Sequence, residues 1–167
     1  MNLTFEKINR DHLPEVLAML KVAAEKIQKK NLTQWSQWLN PKQHDVDWLL
    51  SGFDKDEFYY VYNEKNVHIG MFRYLQIDEV YWGKQTVDAR YVHSLIIKNE
   101  FSGQHLGEEV LKQIEFKIKS ENCTLFRLDC NASNPYLIKF YEGLNFNRVG
   151  VFEKPDGSKF NLYEKTI

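Results

Sequence analysis

The sequence predicts a mixed α+β fold, in which a mostly antiparallel sheet of about seven strands is covered by helices on both faces. Two observations lead to this prediction. Short runs rich in β-branched and aromatic residues recur from residue 58 onwards, and segments with helical apolar spacing separate some of them. In the middle of the chain the order is strand, helix, strand, which predicts a right-handed parallel unit, whereas the other strands favour antiparallel hairpins.

The N-terminal region predicts one strand and then a helix. Residues 3–8 alternate apolar and polar side chains, as a half-buried strand does. Asp11 is placed to cap a helix that has Pro14 in its first turn. Apolar residues then recur at three- and four-residue spacing over residues 13–27, and this pattern stops in residues 31–43.

The next region predicts a change from helix to strand. A second, short helix is centred on residues 46–50, and two strands follow it over residues 58–62 and 67–77 with a turn between them. Residues 78–87 are expected to form a loop. The run over residues 89–97 is strongly β-prone and predicts the central strand of the sheet.

The C-terminal half predicts two more helices and three strands. The first helix follows the glycine-containing segment 101–107 and carries its apolar residues on one face. The remaining elements are, in order, a strand over residues 124–130, a helix over residues 134–143, and two strands over residues 147–152 and 160–165 around the turn Pro155-Asp156-Gly157.

Composition and charge limit the class of protein. The chain has 167 residues, 43% of them hydrophobic, which predicts a single globular domain over residues 1–167. Its net charge of -1, from 22 basic and 23 acidic side chains, lacks the basic excess of nucleic-acid-binding proteins, so no nucleic-acid partner is expected. The N-terminus does not resemble a signal peptide, and no apolar stretch approaches the roughly 18 residues of a membrane span, so we expect a cytoplasmic protein without a membrane partner.

The two cysteines, Cys123 and Cys130, are expected to be buried thiols in or near one strand. Their spacing in an extended strand is too long for a disulfide and puts them on opposite faces. No cluster of cysteine and histidine completes a zinc site, so no metal is expected.

The junction between the central strand and the helix after it is the first candidate site. Gly103 and Gly107 lie in the segment that opens this helix. The first N–H groups of a helix lack intrahelical acceptors and lie at the positive end of the helix dipole, so such a loop suits an anion such as a pyrophosphate. A plain strand-to-helix turn is the alternative, because glycines are common in such turns.

The helix that begins at Asn134 is the second candidate. The strand before it ends in polar residues, Tyr141 lies near its end, and Gly143 stops it before a β-prone run. Taken alone, Asn134 is explained equally well as a helix cap. Tyr141, taken alone, is more often a core aromatic residue than a catalytic one.

Taken together, these segments resemble the GNAT acetyltransferase superfamily. The run from Leu95 to Gly107 is similar to its strand, loop and helix signature, which contains Arg/Gln-x-x-Gly-x-Gly/Ala. The run from Asn134 to Phe146 is similar to its second signature, Asn-x-x-Ala-x-x-hydrophobic-Tyr-x-x-x-Gly-Phe. Asn134, Tyr141 and Asn145-Phe146 line up with its Asn, its Tyr and its final Gly-Phe. Tyr91–Leu95 and Gln34-Trp35 also resemble a bacterial branch that acetylates small amines. The order of elements extends the resemblance over nearly the whole chain.

The resemblance implies transfer of an acetyl group from the cosubstrate acetyl-CoA to a primary amine of a small molecule, by direct attack in a ternary complex. In the superfamily the central parallel strands splay apart at their C-terminal ends, and the pantetheine arm pairs with the first of them. By that resemblance, Leu95, Ile96 and Ile97 make backbone contacts to pantetheine. A backbone N–H near Ile97 then faces the negative charge that develops on the carbonyl oxygen.

The resemblance also assigns the phosphate site and the general acid. Asn134 caps its helix and touches the cofactor, and Tyr141 is the phenol that touches the cofactor and protonates the departing CoA thiolate. The residues that wrap the pyrophosphate are Ser102, Gly103, Gln104, His105, Leu106, Gly107 and Glu108.

Two departures from the superfamily pattern matter for the phosphate loop. Ser102 stands where Arg or Gln is usual, which removes one contact near the phosphates. His105 stands where Gly is usual; if the position needs a positive φ, His tolerates it better than a β-branched residue. The phosphate cradle uses backbone N–H groups, so both changes bear on cofactor affinity more than on family membership.

His93 is the candidate general base. Strand alternation puts it on the same face as Leu95 and Ile97, and the titration range of histidine suits the role. A hydrogen-bonded structural histidine is the alternative. Asp88 and Glu79, acting through water, are further candidates.

Aromatic residues in two irregular stretches are the candidates for the acceptor site, namely Trp35, Tyr81 and Trp82. They indicate either a cage for an ammonium or aromatic substrate or rings that fix two loops to the core. Other functions stay open: a catalytically weak acyl-CoA-binding or regulatory module, and an acetyltransferase that acts on a protein N-terminus or an aminoacyl-tRNA. Exposed strands near the C-terminus would allow a homodimer.

Overall fold

The fold, seen in a computed structural model that describes residues 2–167, contains seven strands and five α-helices among those residues. The strands are β1 (Thr4–Lys7), β2 (Phe58–Tyr62), β3 (His68–Leu75), β4 (Arg90–Ile97), β5 (Leu125–Asn131), β6 (Asn147–Glu153) and β7 (Lys159–Thr166). The helices are α1 (Leu13–Gln28), α2 (Gln43–Asp54), α3 (Glu79–Trp82), α4 (Leu106–Ser120) and α5 (Pro135–Gly143). In this part of the chain, no helix is both long and apolar enough to span a membrane.

The strands form one sheet in the order β1-β2-β3-β4-β5-β7-β6. The pairs β1/β2, β2/β3, β5/β7 and β6/β7 are antiparallel, and β4/β5 is parallel. The parallel ladder joins Arg90–Val92 to Phe126–Leu128, whereas β4 runs on to Ile97 and β5 to Asn131. The predicted mixed sheet of seven mostly antiparallel strands is confirmed, and its parallel ladder is shorter than the strands that form it.

Contacts between Cα atoms divide the chain into two compact units. Unit 1 comprises the described residues up to Tyr74 together with Ser94–Val110, and unit 2 comprises Leu75–His93 and Leu111–Ile167. The expectation of one domain over the whole chain stays a prediction.

In unit 1, helices α1 and α2 share an apolar core with β2, β3 and the end of β4. The buried members are Ile8, Val16, Met19, Leu20, Ala24, Trp38, Leu49, Phe53, Phe58, Tyr60, Met71 and Ile96. A buried ion pair adjoins this core: Arg73 Nη2 donates to Glu57 Oε2 at 2.6 Å, and the Arg73 guanidinium lies 3.9 Å from the ring centroid of Trp48. The pair links β3 to Glu57, which directly precedes β2. Removing either partner would leave a buried charge without its counter-ion, which is strongly destabilising.

In unit 2, α4 buries Leu111, Ile114 and Ile118, which lie at helical spacing. Arg127 of β5 is also buried, and its Nε donates to Glu164 Oε2 of β7 at 2.7 Å. The charge of Arg127 is therefore satisfied inside the unit. Both cysteines are buried and unpaired, as expected from the sequence.

Two local predictions were wrong. Asp11 does not cap α1, because it lies inside a single 3-10 turn over Arg10–His12 that precedes the helix. Asn9 caps that turn, its side chain accepting a hydrogen bond from the Asp11 N–H at 3.0 Å, whereas His12, the N-cap residue of α1, makes no capping hydrogen bond through its side chain. The predicted loop over residues 78–87 contains the one-turn helix α3. A helix of this length is too short to show a helical period in the sequence.

Candidate active site

The loop between β4 and α4 has the backbone shape of an anion-binding turn. Ser102 is extended, at φ −65° and ψ 146°, whereas Gly103 has φ +78° and His105 has φ +57°. His105 therefore adopts a positive φ, which glycine, the usual residue at this position in the superfamily, accommodates more easily. A Cβ placed on Gly103 would meet no atom within 4 Å, so a ligand can reach this backbone freely.

The chemistry of this loop is set by the start of α4. The first N–H groups of α4 have no intrahelical acceptors, and the helix dipole makes this end positive. Ser102 and His105 are exposed at its entry, and Lys26 Nζ donates a hydrogen bond to Ser102 Oγ at 2.8 Å. The backbone of the loop is therefore suited to an anion, and the Lys26 ammonium adds a positive charge beside it.

The second half of β4 does not follow regular strand alternation. Ser94 lies in the left-handed region at φ +52°, directly between His93 and Leu95. Side chains alternate between faces only along an unbroken extended strand, so the expectation that His93 shares a face with Leu95 and Ile97 does not hold across Ser94.

Ile96 lies against β3 in the core of unit 1. A Cβ on Gly70 would lie 2.2 Å from the Ile96 carbonyl oxygen, so the two backbones are in close contact. Ile96 is buried, whereas Leu95 and Ile97 are partly exposed. The two partly exposed residues are the ones left accessible to a ligand.

His93 lies between two carboxyl groups in unit 2. Its Nε2 is 2.8 Å from Asp78 Oδ2, and its Nδ1 is 3.3 Å from Asp129 Oδ2. All three side chains are nearly buried, with 12% of His93, 4% of Asp78 and 7% of Asp129 exposed. Asp78 is itself held in place, because its Oδ1 accepts a hydrogen bond from the Tyr81 N–H and so caps α3.

The protonation states of Asp78, His93 and Asp129 depend on one another. Burial raises the pKa of the Asp129 carboxyl to about 6, an effect that the nearby His93 opposes and Asp78 reinforces. A neutral His93 that donates from Nε2 to Asp78 turns an unprotonated Nδ1 towards Asp129, which is favourable only when Asp129 carries a proton. A protonated His93 reverses this requirement. The buried Asp129 carboxyl can therefore exchange a proton closer to neutral pH than an exposed aspartate does.

The same three side chains offer one ligand atom each within 4.8 Å of one another. However, both His93 nitrogens already face carboxylate oxygens, and the shorter contact is a hydrogen bond of 2.8 Å. Proton sharing is therefore the chemistry that this geometry supports best. The sequence expectation that no metal is bound stays a prediction.

Tyr141 is buried in α5, with ring contacts to Phe140, Phe146 and Tyr163. Burial raises the pKa of its phenol, so Tyr141 keeps its proton at neutral pH. Within residues 2–167 no hydrogen bond from its hydroxyl to another side chain is seen. Asn134 caps α5 as predicted, with Oδ1 accepting from the Leu137 N–H at 3.2 Å.

The three predicted acceptor-site aromatics lie in different surroundings. Trp35 belongs to unit 1 and packs against its core. In unit 2, the Tyr81 ring lies 5.2 Å from the His93 ring, whereas Trp82 packs on Tyr91 and the Arg127 guanidinium. Of the three, Tyr81 is thus the one that adjoins the cluster of Asp78, His93 and Asp129.

Two other candidate bases lie outside this cluster. Asp88 is exposed and pairs with Arg90, and Glu79 is exposed in the first turn of α3. The residue that sequence reasoning missed is Asp129. The available signal was a carboxylate within the largely apolar run of β5, Leu125–Asn131.

Comparisons with known proteins identify the family of this chain. Residues 24–146 match the family model described as Acetyltransferase (GNAT) family. The chain belongs to the GNAT acetyltransferase family. It is 28% identical over 156 residues to the uncharacterized N-acetyltransferase YesJ of Bacillus subtilis (strain 168), which covers 91% of this chain and 83% of that protein. The enzyme class is therefore acyltransferase.

Solved structures of family members share the fold. A GNAT family acetyltransferase from Listeria monocytogenes 4b F2365 superposes with a TM-score of 0.77 at 22% identity, covering 99% of this chain and 95% of that one. The PaiA N-acetyltransferase from Thermoplasma acidophilum, solved in complex with coenzyme A, superposes with a TM-score of 0.70 at 15% identity over 100% of both chains.

Proposed function

We propose that this acetyltransferase moves an acetyl group from acetyl-CoA to a primary amine of a small molecule by direct attack in a ternary complex. Family membership supports the acetyl transfer, and the observation that carries the proposal is the cluster in which His93 lies between Asp78 and Asp129. An ammonium must lose a proton before its nitrogen can attack a thioester, and this cluster is built to take one.

The β4–α4 loop is the proposed site for the cofactor phosphates. The open face of Gly103 and the positive φ of His105 fit a backbone cradle, with the loop residues 102–108 around the pyrophosphate. Leu95 and Ile97, partly exposed on β4, are the proposed contacts for pantetheine. Bound there, acetyl-CoA supplies the activated acetyl thioester. The structurally similar PaiA enzyme was solved in complex with coenzyme A, which supports coenzyme A as the cofactor.

The chain's own residues have separate tasks in the proposed reaction. His93, with Asp78 and Asp129, accepts the proton that the ammonium loses before the neutral nitrogen attacks. Tyr141 donates its phenolic proton to the sulfur as the C–S bond breaks. The second proton, which nitrogen loses after the N–C bond forms, returns to Tyr141 and restores its phenol. Tyr81, beside His93, is the proposed aromatic contact of the incoming amine, because an ammonium is attracted to the face of an aromatic ring.

The first experiment is thermal unfolding with acetyl-CoA, free CoA or ATP, followed by a thiol-release assay with a panel of small amines. A ligand that binds the folded state alone raises the unfolding midpoint with concentration. We expect acetyl-CoA and CoA to raise it and ATP to leave it nearly unchanged, and at least one amine to release CoA thiol. Binding without thiol release for any small amine would contradict the proposed acceptor, and no binding at millimolar ligand would contradict the cofactor site.

A further inference from the structure

A lysine from α1 lies at the proposed phosphate loop. Lys26 is in the last turn of α1, and its Nζ donates to Ser102 Oγ at 2.8 Å across a separation of 76 residues in sequence. Within residues 2–167 the Lys26 ammonium pairs with no carboxylate. The tertiary fold of unit 1 therefore brings an uncompensated positive charge to the residue that starts the loop.

Most of the other charged groups around this loop are acidic. Glu108 and Glu109 are acidic residues in the first turn of α4, and Glu100 is exposed just before Ser102. Lys98 also adjoins the loop, but its Nζ lies 2.9 Å from His68 Nδ1. A pyrophosphate that binds the backbone here meets several negative side chains, so a nearby cation has a large effect on its affinity.

We propose that Lys26 is a cofactor-binding residue that pairs with the pyrophosphate of acetyl-CoA, and that Ser102 holds its ammonium in position. This inference rests on the proposed cofactor site. The chain thus provides from α1 the positive charge that Ser102 itself lacks. Lysine has a flexible side chain, and the hydroxyl contact reduces the number of conformations that binding has to freeze.

The test is a calorimetric titration of CoA into the wild type and into matched lysine variants. Lys26→Met should weaken CoA binding about tenfold, because a charge-assisted contact to phosphate is lost. Lys21→Met removes the same charge from the same helix at an exposed position, whereas Lys26 is partly buried, and this variant should bind CoA as the wild type does. Lys26→Arg should retain most of the affinity, and pantetheine, which lacks the pyrophosphate, should bind the wild type and Lys26→Met equally.

A rescue variant separates charge from folding effects. Ser102→Arg, added to Lys26→Met, should restore CoA affinity, since it places a cation at the same point of the loop. Equal CoA affinity of the wild type and Lys26→Met would overturn the role of Lys26 and leave the proposed function intact. Weakening that affects pantetheine as much as CoA would also overturn it. A wild type that does not bind CoA would instead overturn the cofactor site on which the inference rests.

Discussion

The surroundings of His93 are set by two carboxyl groups that are distant from it in sequence. Asp78 lies 15 residues before it and caps α3, and Asp129 comes from β5. An isolated histidine of this kind is most often structural, whereas a histidine between a carboxylate and a carboxyl of raised pKa can exchange protons. The proposed role of His93 therefore depends on the two carboxyl groups beside it.

His93→Gln tests the proposed base. We expect kcat to fall by about 10²- to 10⁴-fold, the usual contribution of a general base, while CoA affinity stays close to that of the wild type. Steady-state kinetics with the best amine, together with a CoA titration, measures both quantities. His44→Gln is the matched control, because the His44 side chain is 75% exposed in α2. Normal turnover of His93→Gln would show that the histidine is structural.

Tyr141→Phe tests the proposed acid. Loss of the hydroxyl should lower kcat by about 10²-fold or more and leave CoA affinity and the unfolding midpoint nearly unchanged, since the ring still fills its place in the core. Tyr136→Phe in the same helix is the control, at a residue that is 61% exposed. If the two variants turn over at the same rate, Tyr141 is a core residue only.

At the scale of elements, the approach of β3 to β4 places the end of β4. Gly70 and the Ile96 carbonyl are too close for a side chain between them, and Ser94 interrupts the strand just before this contact. The strand β4, which carries the proposed pantetheine contacts, is thus held by backbone contact with β3. One left-handed residue, Ser94, bends it just before this contact.

Gly70→Ala tests this contact. The added methyl group would lie 2.2 Å from the Ile96 oxygen, so a backbone shift is required, and we expect a loss of about 1–3 kcal/mol of unfolding free energy. Urea denaturation measures the change. Gly150→Ala is the control, because its Cβ would meet its nearest neighbour, a Leu162 methyl group, at an ordinary 3.6 Å. Equal stability of the two variants would mean that the approach of β3 to β4 is looser than described.

At the scale of the whole molecule, the buried Asp129 makes folding stability depend on pH. Its pKa is raised to about 6 in the folded chain, above its value in the unfolded chain, so the folded state binds more protons between about pH 4 and pH 6. Stability from this group is present below the unfolded pKa and is lost as pH rises through about 6. The buried Asp129 carboxyl therefore lowers the stability of the folded chain at neutral pH relative to mildly acidic pH.

Asp129→Asn removes this dependence. Relative to the wild type, the variant should gain stability on going from about pH 4 to about pH 8, by an amount on the order of 2 kcal/mol. Denaturant unfolding at the two pH values measures the difference. Asp156→Asn is a control of opposite sign, because hydrogen bonds from Ser158 lower the pKa of the exposed Asp156 carboxyl. A pH-independent difference between the wild type and Asp129→Asn would contradict the buried, proton-binding state.

Local features of this protein were readable from its residues. The order of the long elements, the loop that opens α4, the helix that Asn134 caps and the burial of both cysteines follow from apolar period, capping and turn chemistry, which act over a few neighbouring residues. Where the local signal was short or ambiguous the prediction failed, as at Asp11 and in the one-turn helix α3.

The tertiary structure alone decided which distant side chains meet. Asp129 reaches His93 through the pairing of β4 with β5, and Lys26 reaches Ser102 through the packing of unit 1. Contacts of this kind depend on strand register and on the relative placement of packed elements, and no local period in a sequence encodes either of them. The sequence by itself therefore determined the family pattern and its two signatures, whereas only the fold determined the partners of the proposed base and the cation beside the phosphate loop.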